Sequence, residues 1–163
     1  MGLFDKKKPG KSPAELKLEE IINRVFPGTL IESQQDDGTY RWALREESAL
    51  IEAWINTDFG DTDFPIVSVS SPVVLGARDD DKLFRFLIET GDQSIFTKWM
   101  VFPGDDKGTV NVICVMNLAL NTLVDEVLGQ AIIAVAETAN TLDDEIMKRF
   151  GGQRAQEIFG WQD

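Results

Sequence analysis

The chain has no histidine, one cysteine and one tyrosine among its 163 residues. Without histidine it cannot assemble a Ser-His-Asp or Cys-His nucleophilic centre, or a histidine-ligated zinc, iron or copper site. A lone thiol closes no internal disulfide and builds no thiolate cage. Cys114 sits in the apolar run Val112-Ile113-Cys114-Val115, with no basic neighbour to activate it, and reads as a small buried hydrophobe. No glycine-rich phosphate loop is present. No apolar stretch approaches the roughly 20 residues of a membrane span, and none follows the N-terminal lysines in the manner of a signal peptide. Gly2 lacks the Ser or Thr of a myristoylation motif, since Lys6 occupies that place. Positive charge is scarce: 16 Lys and Arg against 28 Asp and Glu leave a net charge of −12. Such a surface repels phosphate, so nucleic acid and anionic membrane are not expected partners. The expectation is a soluble cytoplasmic protein.

What the chain does have is a globular apolar fraction of 43% and enough length for one self-sufficient core. Residues 1–11, with Lys6, Lys7, Lys8 and Lys11, read as a flexible basic lead-in. Residues 12–152 read as a single domain. Residues 153–163, with Ile158, Phe159 and Trp161, read as a short amphipathic tail with enough apolar area to dock.

Helix one opens with a strong local signature. Ser12 is placed to cap, Pro13 occupies the first helical position and Glu15 completes a capping box. Its apolar stripe is Leu18, Ile21, Ile22, Val25 and Phe26, and Pro27-Gly28 ends it. Four strands are expected next: Thr29 to Gln34, Thr39 to Arg45, Ser48 to Thr57 and Ile66 to Ser71. The first two are joined by an Asp37-Gly38 hairpin turn. Pro72 is expected to break the last of these ladders at an edge or bulge. Asp79-Asp80-Asp81 suits the start of a second helix, whose stripe reads Leu83, Phe84, Leu87, Ile88. A second hairpin, Ile95 to Phe102 and Thr109 to Met116, precedes a long helix from Asn121 to about Arg149. Its stripe of Val124, Leu128, Ala131, Ile132, Val135, Ala139, Leu142, Ile146 and Phe150 is longer than a small sheet needs. The order α-β-β-β-β-α-β-β-α gives an α+β fold: one antiparallel sheet of five to six strands with helices packed on one face.

Strand alternation then assigns two sides to the sheet. Ile51, Ala53, Ile55, Ile95, Trp99, Val101, Val110, Val112, Cys114 and Met116 suit the core side. The opposite side still carries Trp54, Ile66, Phe96, Met100, Phe102, Ile113 and Val115, with no helix left to cover it. An uncovered apolar patch of this kind marks an interface, and these seven are the candidate partner-binding residues. Lys98, among Phe96, Met100 and Phe102, fits a partly wet face better than a desolvated catalytic amine. Asp58, Asp61 and Asp63 lack the spacing of an EF-hand and read as a solvated loop. No catalytic residue, cofactor site or metal site is expected.

The helix-one cap, the Trp42 and Trp54 strands and the run Val112 to Leu120 leading into Asn121-Thr122-Leu123-Val124-Asp125-Glu126-Val127-Leu128 carry a resemblance. Over roughly residues 13–150 the chain resembles the YbjN-like family, which shares the fold of the class I (CesT-like) chaperones of type III secretion. The Trp161 tail and the lysine-rich lead-in depart from that pattern. The resemblance implies a non-enzymatic, often dimeric protein that binds peptide or protein segments. The expected function is therefore a chaperone-like or regulatory adaptor, a homodimer that engages a protein partner through the sheet face or the helix-one region. The alternative is a small-molecule or lipid carrier with a cavity between the sheet and the long helix, where Gly129 and Ala131 would make room.

Overall fold

A computed structural model describes residues 10–28, 31–56, 64–91 and 96–158. Six strands form one antiparallel sheet: β1 (Ile31–Gln34), β2 (Tyr40–Glu46), β3 (Ala49–Asn56), β4 (Ile66–Arg78), β5 (Lys98–Pro103) and β6 (Thr109–Ala119). Their spatial order is β1-β2-β3-β4-β6-β5, so β1 and β5 are the edges. Helices α1 (Pro13–Val25), α2 (Asp81–Gly91) and α3 (Asp125–Phe150) complete the expected element order, and a short α4 (Ala155–Ile158), not expected from the sequence, follows in the tail. Thr29, Ile95, Phe159, Trp161 and the acids Asp58, Asp61 and Asp63 lie outside the described residues.

The first helix forms as its cap dictates. The Glu15 backbone N–H donates to Ser12 Oγ at 3.2 Å, and the Ser12 N–H donates back to Glu15 Oε2 at 2.7 Å. The other Glu15 oxygen accepts the Tyr40 N–H at 2.9 Å, so one buried carboxylate both caps α1 and ties it to β2. A second tie comes from Lys11, which ion-pairs with Glu19 of α1 and Glu32 of β1 and lies over the rings of Tyr40 and Trp42. At the other end of α1, Arg24 bridges to Asp125 at the start of α3 at 2.9 Å.

The core lies on one side of the sheet. Leu18, Ile21 and Ile22 of α1, Leu83, Phe86 and Leu87 of α2, and Leu128, Ala131, Ile132, Val135, Ala139, Ile146 and Phe150 of α3 join a single buried cluster. With them are Trp42, Leu44, Ile51, Ala53, Val67, Val69, Val112 and Cys114 of the strands. The α3–sheet interface is filled: Leu128, Ile132 and Val135 are each at most 1% exposed. Gly129 faces α1 instead, where an added Cβ would meet Val25 at an ordinary 3.6 Å.

Several boundaries differ from the sequence reading. Residues Leu120–Thr122 form a 3-10 turn, and α3 begins only at Asp125, leaving Val124 as an exposed N-cap rather than part of the stripe. The extra length of α3 serves α2: Phe150 packs on Phe86, ring centroids 6.0 Å apart. In α2 the buried set includes Phe86, whereas Ile88 faces solvent. A three-turn helix with apolar residues at 83, 84, 86, 87 and 88 fits either stripe, and contact with Phe150 decides between them. Pro72 does not end its strand. β4 continues through it to Arg78, 13 residues in all, with register shifts between Pro72 and Val74 and between Val74 and Ala77. The bulges absorb the missing N–H of proline. In the gap they open, Leu75 exchanges two backbone hydrogen bonds of 2.9 Å with Gln153.

That bridge anchors the segment after α3. Arg154 Nε donates to Asp143 Oδ2 at 2.8 Å, satisfying an acid that stands at a buried position of α3, and it also pairs with Asp144. Ala155 is buried.

Gly152 lets this segment approach β4. Its φ is +92°, and a Cβ there would lie 2.5 Å from Val74 Cγ1 and 2.7 Å from the Leu75 carbonyl oxygen. Replacing Gly152 with Ala is expected to destabilise the fold by about 2–3 kcal/mol, while Gly10→Ala, in open space, stays near neutral. Urea denaturation of the two variants checks this.

Stability should also depend on pH in a defined way. The hydrogen bond from Lys11 holds the Glu32 carboxyl below its ordinary value, and the hydrogen bond from Arg24 does the same for Asp125. Depressed carboxyls contribute stability above their unfolded values, and that stability is lost as pH falls through the folded ones. Burial of Lys11 lowers its own affinity for a proton, but its bonds to Glu19 and Glu32 outweigh this and raise it, so its contribution is lost only in strong alkali. With no histidine to titrate, stability is expected to be flat from about pH 5 to 9 and to fall below about pH 4. Lys11→Ala should shallow the acid limb in a pH series of thermal melts.

Candidate functional site

The far side of the sheet is covered by no helix among the described residues, and its side chains can be followed strand by strand through the register. Arg41 pairs with Trp54, Trp54 with Ser68, and Ser68 with Asn117. The next row runs Glu52, Ser70, Val115, Lys98, and the one after it Pro72, Ile113, Met100. These residues and Phe102 line an open groove of about 400 Å³.

Five of the seven predicted residues meet there: Trp54, Met100, Phe102, Ile113 and Val115. Met100 and Phe102 are exposed, Trp54 and Ile113 are half-buried, and Val115 is 2% exposed. Val115 is buried yet stands outside the core cluster, at the floor of the groove. The other two do not reach it. Ile66 occupies the end row, paired with Asn56 and Ala119, and Phe96 precedes β5 as an exposed residue. Phe96 loses the sheet alternation because β5 begins only at Lys98.

The groove has a polar half that apolar patterning overlooks. Asn56 Nδ2 donates to Ser68 Oγ at 2.8 Å, and the Ser68 hydroxyl donates to Asn117 Oδ1 at 2.8 Å. The Arg41 guanidinium lies over the Trp54 ring at 4.7 Å and bridges to Glu52 at 3.2 Å. Its Nε is enclosed without a hydrogen-bond partner among the described residues. The polar residues of β2, β3 and β4, with Asn117 at the end of β6, therefore lie beside the apolar strip of Met100 and Phe102 on β5 and Ile113 and Val115 on β6. The signal was present in the sequence: Asn56, Ser68 and Asn117 share the face parity of Trp54, but only the register shows them adjacent.

The remaining chemistry is sparse. Burial pushes the Cys114 thiol up to about 11, which keeps it protonated and unreactive at neutral pH. Among the described residues no group of three acids or thiols is placed to hold a metal ion. No helix of the described residues is long and apolar enough to cross a membrane.

This fold is that of a known family. A family model described as T3SS (YopN, CesT) and YbjN peptide-binding chaperone 1 matches residues 17–158. The chain belongs to this peptide-binding chaperone family. The match runs from α1 through α4 and so includes the segment after Gly152. Among solved structures, YbjN from E. coli superposes with a TM-score of 0.55 at 12% identity, over 85% of this chain and 94% of that one. At that identity the likeness is one of fold. No curated protein matches.

Proposed function

We propose that the chain is a non-enzymatic, chaperone-like adaptor that holds an extended segment of a protein partner on the uncovered sheet face, along the β5 edge. The carrying observation is the convergence of Trp54, Met100, Phe102, Ile113 and Val115 on one open groove in a member of a peptide-binding family. Among the described residues β5 pairs with β6 alone, which makes it an edge to which a strand can be added. Strand addition supplies sequence-independent hydrogen bonds, and the groove reads every second side chain of the segment. The polar ladder beside the apolar strip accommodates a segment with mixed side chains without stranding buried polar groups.

The functional unit in this reading is a homodimer. The carrier alternative gains nothing from the structure, because the α3–sheet interface is packed by Leu128, Ile132 and Val135.

Placing Glu at both Met100 and Phe102 tests the site. Both side chains are exposed, so the fold should survive with a melting temperature within a few degrees of the parent. Capture of an extended alternating peptide is expected to weaken at least about tenfold, since two apolar anchors are replaced by charge. Unchanged capture by the double variant contradicts the site. Light scattering at several concentrations checks the dimer, which has about twice the 18.2 kDa mass of one chain.

A further inference from the structure

The groove is not electrostatically neutral, and its charge runs against that of the chain. Three ionisable side chains line it: Arg41, Glu52 and Lys98. Arg41 and Glu52 neutralise one another at 3.2 Å. Lys98 is exposed and forms no ion pair among the described residues. Among the described residues the groove thus carries one uncompensated positive charge, on a chain of net charge −12.

Lys98 also has a fixed place along the edge strand. With Met100 and Phe102 it forms the groove-facing side of β5, at every second residue. In the register with β6, Lys98 stands opposite Val115 and Met100 opposite Ile113. A strand laid beside β5 presents its own side chains to this face with the same period of two. One of them therefore falls beside Lys98 while the next two fall beside Met100 and Phe102.

We infer that Lys98 is a specificity determinant that selects partner segments bearing an acidic side chain two residues from the first of two alternate apolar ones. The occupant is an extended segment of the pattern acid-x-apolar-x-apolar, or its reverse, according to strand direction. This rests on the proposed docking of a segment along β5 and adds the chemistry of what is docked. Lys98 contributes by discrimination: a basic side chain in the same place meets like charge, while the apolar contacts are unchanged. An otherwise acidic surface repels acidic segments that approach elsewhere, so Lys98 also fixes where such a segment lands.

The test uses the full chain and two pairs of fluorescent synthetic peptides of alternating serine and apolar residues. Within each pair the peptides differ only in having aspartate or lysine at the position before the apolar residues, and the second pair has the order reversed. The parent protein is expected to favour the aspartate peptide of one pair by about five- to tenfold at low salt, and the preference should shrink in 0.5 M salt. Lys98→Glu, an exposed substitution confirmed as folded by circular dichroism, should reverse the preference. Ile113→Glu should weaken both peptides alike. If the parent binds both members of each pair equally and Lys98→Glu changes neither, the selection is refuted while docking stands. If no peptide binds the parent, docking and selection fall together.

Discussion

Everything in this molecule follows from the packing of α3 across β4 and its neighbours. The helix brings Ala131, Ala136 and Ala139 as well as larger residues to its buried side, and small side chains let helix and sheet approach closely. Leu128, Ile132, Val135 and Ile146 are fully enclosed in the core cluster that also holds Val67, Val69, Val73 and Val74 of β4. Because α1 and α2 join the same cluster, all the helical cover goes to one side of the sheet. The other side is left open as a geometric consequence.

Consistent with that constraint, the structure secures its helical layer at several points. Glu15 joins α1 to β2, Lys11 joins the chain before α1 to β1 and α1, Arg24 joins α1 to α3, and Arg154 satisfies the buried Asp143. The exchange of hydrogen bonds between Leu75 and Gln153 fills the opening made by the β4 bulges. On the open face the Arg41–Glu52 pair and the Asn56–Ser68–Asn117 ladder join side chains of adjacent strands within the sheet itself.

Much of the fold was legible because its signals are local. The Ser12–Glu15 capping box, the Asp37-Gly38 turn and the alternation of Ile51, Ala53 and Ile55 each depend on neighbours within a few residues. Errors arose where distant contacts decide. Pro72 signals an edge or a bulge, and the bulge is what forms, but the strand's continuation to Arg78 and the bridge from Leu75 to Gln153 depend on distant partners. Ile88 and Phe86 compete for the same buried side of α2 until Phe150 selects Phe86. The candidate site divides in the same way. Trp54, Met100, Phe102, Ile113 and Val115 obey strand parity and converge, whereas Phe96 precedes its strand and Ile66 lies one row beyond the groove. Parity puts Asn56, Ser68 and Asn117 on the same face as Trp54, but that they adjoin one another is a property of cross-strand register.

The most direct measurement of the central claim is amide hydrogen exchange on the full chain, with and without a saturating extended peptide. The account expects added protection concentrated in Lys98–Pro103 at the sheet edge, with α1 and α3 unchanged. Protection confined to the helices, with the β5 amides exchanging as in the free protein, would contradict it.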